Sequence, residues 1–297
     1  GIRDRDVTGV QTCALPILAQ AAGWSEPISG VVGATLHLEG TLQHPQASGS
    51  VEVSSPTLLG EKLDRIRATI RASENLYEAS NGEASDGPAR VLFSGSYAPA
   101  ASELRFDTTI SGLTLNRIEG LPKLDPQPEA QLSSTLRGSA RVINRRLEFT
   151  ELNGTASARS IRLAGTPLGE LNATFRSQAT DLLVNLAGSV KESTISGQGQ
   201  WKLSGNEAGS LSARVSRMST KSIRDLGELL GLAPVLTQGT ELPFEGFLET
   251  HVDVRASLTK LEDASADLIV DALRLTPKRT ASPSTGTAVQ DVTLENS

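Results

Sequence analysis

Aromatic residues are scarce in this chain, where they make up 3% of 297 residues. Large rings usually supply much of the buried area of a globular core. This protein must therefore bury surface through small and aliphatic side chains. Together with 27 glycines, that composition favours thin, repetitive β-layers over a catalytic globular domain.

Cysteine is nearly absent as well, since Cys13 is the only one. Its isolation excludes disulfides, zinc knuckles and a cysteine nucleophile from the rest of the chain, and it accords with an oxidising compartment such as the periplasm. No stretch reaches the roughly 18 apolar residues of a membrane-spanning helix. The net charge of -6 is spread without a basic stripe, which argues against nucleic-acid binding.

From Gly30 onward the dominant pattern is alternation of apolar and polar residues, which is typical of strands with one buried face. The alternation is clear at Leu36/Leu38, Val51/Val53, Ile66/Ile70 and Ile161/Leu163. Turn signals such as Asn81-Gly82 and Asp86-Gly87-Pro88 separate the runs. Many short strands with evenly spaced turns predict an all-β fold.

An internal repeat underlies this pattern. Residues 49–71 align with residues 154–176 without a gap, at an offset of 105. The alignment matches glycine with glycine, leucine with leucine and arginine with arginine at Gly60/Gly165, Leu63/Leu168 and Arg71/Arg176. A third, incomplete copy begins near Phe244, so we expect an elongated, bent sheet or open β-groove built from repeats of about 105 residues.

Short helices are expected to close each full repeat. Ser222 and Asp225 have the spacing of a helix start, and residues 116–119 form a shorter equivalent in the first copy. These signals divide the chain into a first β-repeat at 18–121, a second at 122–232 that ends in a short helix, and the start of a truncated third at 233–297.

Residues 1–17 belong to neither repeat and show no alternation. They fail as a signal peptide because Asp4 and Asp6 cancel the early arginines and Pro16 interrupts a short apolar run. The stretch resembles translated adaptor sequence that recurs at the broken ends of unrelated metagenomic reading frames. We therefore expect residues 1–17 to be an unstructured artefact, and the chain to be a fragment whose own sequence begins near Leu18.

Motifs that carry catalysis are missing. The chain has neither a Gly-x-Ser-x-Gly elbow nor a phosphate-binding loop. His37, His44 and His251 lack metal-ligand spacing, and we expect His37 and His251 to be solvated on polar strand positions. Since nothing selects a catalytic carboxylate pair either, we predict no enzyme activity, no cofactor and no metal.

The repeat resembles that of a known family. The segment from Gly40 to Val53, followed by 58–60 and 63–70, is similar to the repeating region of the AsmA-like family, which includes the TamB translocation-and-assembly-module proteins. The resemblance covers roughly residues 28–297 and rests on spacing. The residues that carry it are Gly40, Leu42, Pro45, Gly49, Val51, Val53, Gly60, Leu63, Ile66 and Ile70, with Gly154, Gly165, Leu168, Leu171 and Phe175 in the second copy.

This resemblance implies a periplasmic groove that crosses a two-membrane cell envelope, in a protein anchored in the inner membrane by a helix that this chain lacks. Such proteins are implicated in moving phospholipid between the membranes or in assembling outer-membrane proteins. The expected partners are phospholipid acyl chains, an outer-membrane assembly protein and the inner membrane. We hypothesise that the groove is lined by Leu36, Leu38, Val51, Val53, Ile66, Ile70, Ile161 and Leu163, while Arg65 and Glu52 face water.

Other interpretations stay open at this point. An alternating strand face is also what an ordinary hydrophobic core shows. A secreted or surface β-solenoid adhesin, binding partners on its surface, is the alternative function. A carbohydrate-active β-helix enzyme would need carboxylates clustered on one strand layer, and matching positions of the two repeats show none.

Overall fold

The computed structural model describes ten segments of the chain. They are residues 5–8, 28–41, 44–58, 61–118, 126–143, 146–204, 208–229, 244–257, 260–277 and 292–295. Within these segments the strands are β1 (Arg5–Thr8), β2 (Ile28–Gly40), β3 (Pro45–Leu58), β4 (Glu61–Lys62), β5 (Arg65–Ala72), β6 (Tyr77–Asp86), β7 (Ala89–Ala98), β8 (Glu103–Thr114), β9 (Pro128–Ile143), β10 (Arg146–Leu163), β11 (Thr166–Gln178), β12 (Asp181–Val190), β13 (Ser193–Lys202), β14 (Ala208–Ser219), β15 (Phe244–Ser257), β16 (Lys260–Pro277) and β17 (Val292–Glu295). Helix α1 spans Thr220–Leu229, and short 3-10 turns span Pro99–Ala101 and Leu115–Arg117.

All of these strands belong to one antiparallel sheet in which chain neighbours lie side by side. The two-residue strand β4 is the exception to this order, because β3 pairs both with it and with β5. Several hairpins close with two-residue turns whose first residue has a φ near 55°, as at Gly87, Ala179 and Lys191. The fold is therefore an elongated, open, all-β sheet, and the fold class predicted from the alternation is confirmed.

Two groups of five strands share backbone irregularities. Strand group 1 is β3, β5, β6, β7 and β8, and strand group 2 is β10 to β14. The register shift between Ile110 and Leu113 in β8 recurs between Val215 and Met218 in β14, 105 residues later. Because such bulges bend a strand and increase its twist, the two groups share this bend. Group 1 has a further bulge between Ala79 and Gly82 in β6, and the corresponding pairing in group 2 has none.

The segments that follow the two groups differ in length. After β14 the chain forms α1, and the Ser219 hydroxyl accepts the backbone N–H of Ser222 at 3.1 Å. Ser219 is therefore the N-terminal cap, three residues before the expected start at Ser222. After β8 the chain makes only the 3-10 turn Leu115–Arg117.

Each of these segments is tied by an ion pair to a turn within its own group. Arg117 lies 3.3 Å from Asp86 at the β6–β7 turn, and Asp225 of α1 lies 4.0 Å from Lys191 at the β12–β13 turn. Asp86 and Lys191 stand 105 residues apart, so the same contact is made with its charges exchanged.

The first seventeen residues differ from the expectation over the part that the structure describes. Arg5–Thr8 forms β1, which pairs with β2 from Leu38 to Thr35. The physical reason is that an edge strand presents unpaired N–H and C=O groups, which accept an extended segment whatever its side chains. Residues 1–4 and 9–17 lie outside the described segments.

The sheet continues across both predicted repeat boundaries, because β8 pairs with β9 and β14 pairs with β15. Residues 119–125 and 230–243, where those boundaries fall, lie outside the described segments. The division at 121/122 and 232/233 stays a prediction.

Candidate functional site

One face of the sheet is apolar from β2 to β16. Residues opposite each other in a ladder point to the same face, so the register follows that face from strand to strand. One row across the sheet runs through Val32, Val53, Ile66, Ala84, Val91 and Ile110. A second runs through Leu171, Gly188, Ile195, Val215 and Thr250.

The eight residues predicted to line the groove all lie on this face. Six of them, Leu36, Leu38, Val51, Val53, Ile66 and Ile70, are on the neighbouring strands β2, β3 and β5. Ile161 and Leu163 lie on β10, five strands away from β5. Val53 and Leu163 are buried and the other six are half-buried. The structure therefore puts the eight residues on one surface but in two separate places.

No second layer covers this face among the described elements, since the extensive backbone contacts between strands are all between neighbours in the sheet. A sheet in a globular domain usually buries its apolar face against another sheet or a helix layer. Here α1 packs mainly against β14 and β15, besides its ion pair to Lys191 at the β12–β13 turn. The residues of this face are half-buried because neighbouring side chains on the same face and the bend of the sheet cover them in part.

Glycines mark where the sheet bends toward the apolar face. A side-chain carbon placed on Gly49 would lie 3.0 Å from the Leu36 Cα on the partner strand and would overlap the Thr35 carbonyl oxygen. A side-chain carbon placed on Gly188 would likewise lie 3.0 Å from the Leu171 Cα on β11. In a flat sheet that carbon points away from the partner backbone, so the neighbouring strand leans over the apolar face at these positions.

An aromatic depression lies on the apolar face between β5 and β8, with a volume of about 670 Å³. Its aromatic residues are not among the eight predicted to line the groove, and of those eight only Ile70 reaches it. Its apolar lining includes Ile70, Ala79, Tyr77, Phe93, Tyr97 and Phe106. The signal that could have found it is the run Phe93-x-Gly95-x-Tyr97, which places two rings and a glycine on one strand face.

Strand group 2 has a closed core at the corresponding place. Leu182 and Leu203 are 2% exposed, and Phe175 and Trp201 pack against them. The Trp201 Nε1–H donates to the Ala256 carbonyl at 3.1 Å. The apolar face is therefore open in one group and filled in the other.

The opposite face carries charged and hydroxyl side chains in cross-strand pairs. Arg67 pairs with Glu83 directly across β5 and β6, and Lys202 pairs with Asp181 across β12 and β13. Hydroxyls do the same where the Thr135 and Thr155 Oγ1 atoms are 2.9 Å apart. Surface pairs of this kind add little stability individually, and they fit a solvated outer face.

Two carboxyl groups on this face have lowered pKa values. A hydrogen bond from Arg67 lowers the pKa of Glu83, and one from Lys202 lowers the pKa of Asp181. Both groups are on the solvated face and each already has its charged partner. Their titration reflects surface ion pairing rather than an acid–base site.

The three histidines each contact a carboxylate. His44 Nδ1 lies 2.7 Å from Glu74 Oε2, and His37 Nε2 lies 3.0 Å from Glu39 Oε1. His251 departs from the expectation of a solvated ring, because its side chain is 25% exposed and its Nδ1 is 2.7 Å from Asp271 Oδ1. In the part of the chain that the structure describes, no group of three or more His, Cys, Asp or Glu could hold a metal ion.

The chain matches no protein-family model, no curated protein and no solved structure. Among the described residues, no helix has the length and apolar character needed to cross a bilayer.

Proposed function

We propose that this chain is a non-catalytic, lipid-binding segment of an AsmA-like envelope protein, and that its apolar face holds phospholipid acyl chains. Transfer of phospholipid between the two membranes is the role that this surface fits best, and assistance to outer-membrane protein assembly is the other role implied by the resemblance. The periplasmic location and the inner-membrane anchor of the whole protein belong to the same proposal.

The observation that supports the proposal is the continuous apolar face without a covering layer among the described elements. From β2 to β16 that face spans roughly 60 Å, at about 4.8 Å per strand. The hydrocarbon of one leaflet is about 15 Å deep, half of the roughly 30 Å core of a bilayer. The face is long enough for several acyl chains in succession, and each buried CH₂ contributes about 0.8 kcal/mol.

The opposite face makes the surface one-sided. Its ion pairs and hydroxyl pairs are satisfied within the sheet, so water is the natural medium on that side. A sheet with one apolar and one solvated face can carry an apolar ligand through an aqueous compartment without chemistry.

The adhesin alternative gains no support from the strand pairing. A β-helix stacks its coils in parallel, whereas every paired strand described here is antiparallel.

Site-specific photo-crosslinking tests the proposal. p-Benzoylphenylalanine is placed at Val51 or Ile66 on the apolar face, and at Glu52 or Arg65 on the polar face as matched controls one residue away. The chain is irradiated with vesicles of phosphatidylethanolamine and phosphatidylglycerol. We expect lipid adducts at Val51 and Ile66 and none at the two controls. Equal labelling of both faces, or no labelling at any position, would overturn the proposal.

A further inference from the structure

The two strand groups can be compared position by position on the apolar face. Two neighbouring rows of cross-strand partners run through each group. The rows of group 1 and group 2 occupy equivalent positions, because the strand register aligns them. In group 1 the first row is Ile70, Ala79, Gly95 and Phe106. The second row is Ala72, Tyr77, Tyr97 and Leu104. In group 2 the first row is Phe175, Val184, Gly199 and Leu211. The second row is Ser177, Leu182, Trp201 and Gly209.

Group 2 fills this place with its own side chains. Leu182 and Val184 occupy the positions of Tyr77 and Ala79, and they are 2% and 8% exposed. The Trp201 ring lies against Gly199 and Gly209, where an added side-chain carbon would collide with it. Its indole N–H reaches Ala256 on β15, beyond the adjacent strand β14. In group 2 these side chains occupy the place that is open in group 1.

Group 1 cannot close in the same way, because Leu104 stands where group 2 has Gly209. Trp201 crosses β14 over the glycine, whereas the residue opposite Tyr97 on β8 is Leu104, which carries a bulky side chain on the same face. Tyr97 stacks on Tyr77 instead, with ring centroids 6.4 Å apart. Tyr77 remains 49% exposed, and the depression of about 670 Å³ stays open beside the two rings.

We propose that this depression is a discrete binding station for one acyl chain, and that the corresponding part of group 2 is closed to ligand. The polar end of the bound lipid lies at Tyr77 and Tyr97, and its hydrocarbon runs along β7 past Phe93 toward Val91. This inference rests on the proposed function and adds to it that one section of the apolar face binds an acyl chain in preference to the corresponding section of group 2.

The size and polarity of the depression fit that occupant. Its volume falls within the range of small-ligand sites, about 300 to 1,000 Å³. The distance along β7 from Val91 to Tyr97 is about 20 Å at 3.3 Å per residue, which accommodates the roughly 15 Å of one leaflet's hydrocarbon. Tyrosine has an apolar ring with a polar tip, and it prefers the boundary between hydrocarbon and water.

The test uses a fatty acid with a mid-chain diazirine, irradiated with the purified chain and followed by tryptic mass spectrometry. Cleavage after Arg90 and Arg105 releases peptide 91–105 from group 1, and cleavage after Lys191 and Lys202 releases peptide 192–202 from group 2. We expect at least tenfold more adduct on peptide 91–105. Equal adduct on both peptides would overturn the station and leave the proposed lipid binding in place. Absence of adduct from every apolar-face peptide would overturn both.

Filling variants make the test specific to the depression. Ala79→Phe places a ring inside the depression from β6, and Thr108→Phe places one there from β8. If one variant fails to fold, the other still tests the proposal. Ala173→Phe is the matched control, because Ala173 lies on the same face outside the depression. We expect either folded filling variant to lower the adduct on peptide 91–105 at least fivefold and the control to leave it unchanged. An unchanged adduct in a folded filling variant would overturn the station.

Discussion

Strand groups 1 and 2 share a bulge at equivalent positions of β8 and β14, yet one group leaves an open aromatic depression and the other closes over a small core. The difference depends on a few side chains, since Leu104 in group 1 corresponds to Gly209 in group 2. Where the glycine stands, Trp201 reaches across a strand and packs with Leu182 and Leu203. On a single-layer sheet, a few cross-strand side chains can therefore decide whether a neighbouring ring covers the surface or leaves it open.

The largest expected difference between the groups is in stability. Leu203→Ala removes a side chain that is 2% exposed, and such truncations cost about 2–5 kcal/mol because a cavity remains. Tyr77→Ala in group 1 should lower the free energy of unfolding by about 1 kcal/mol, since the ring is half exposed and stacks on one partner. Urea unfolding of the two variants measures both values. Equal losses would show that group 2 is no more closed than group 1.

A smaller effect separates the two rings themselves. Trp201→Phe removes the hydrogen bond to the Ala256 carbonyl, and we expect the free energy of unfolding to fall by about 1 kcal/mol. Tyr97→Phe keeps the ring that stacks on Tyr77. This variant should change the free energy of unfolding by less than about 0.5 kcal/mol. Thermal or urea unfolding of these two conservative variants compares them directly. A larger loss for Tyr97→Phe would contradict the assignment of Trp201 as the ring that closes the face.

The smallest effect lies on the polar face, where the groups should behave alike. The pKa of Glu83 lies below its ordinary 4.5 and that of Asp181 below its ordinary 3.8, owing to hydrogen bonds from Arg67 and Lys202. A lowered folded-state pKa stabilises the protein above the unfolded pKa, and that contribution is lost as the pH falls through the folded value. Arg67→Gln should raise the pKa of Glu83 toward 4.5, as followed by NMR titration.

Lys202→Gln gives the matching measurement in group 2 and should raise the pKa of Asp181 toward 3.8. Because both ion pairs lie on the solvated face of the sheet, we expect only a slight change in stability from either variant. A pKa that stays low after its basic partner is removed would mean that another group sets it.

The strand faces could be predicted from the sequence because a strand repeats every two residues. Leu36, Val51 and Ile66 are on the apolar face for that reason alone. The helix start was three residues off, because Ser219 and Ser222 both have side chains that can cap a helix and only the backbone path selects Ser219. The pairing of Arg5–Thr8 with β2 could not be read from alternation, since edge pairing uses main-chain groups.

The candidate site was predicted only in part. The eight proposed lining residues share one face, but the depression depends on Tyr77, Tyr97 and Phe106, which lie on three different strands. Alternation does not show which small residues on this face are covered. In the structure Leu171 lies over Gly188 and Trp201 over Gly209, so the space beside these glycines is filled by cross-strand neighbours.

The sequence by itself determined the all-β class and the polarity of the two faces, because both follow from local alternation and turn residues. Tertiary structure alone decided where the apolar face is open. Burial of a strand residue depends on its cross-strand neighbours, and these come from distant parts of the chain. Trp201 donates to Ala256, 55 residues away, while Tyr97 stacks on Tyr77. The same alternation therefore ends in a closed core in one place and in an open depression in the other.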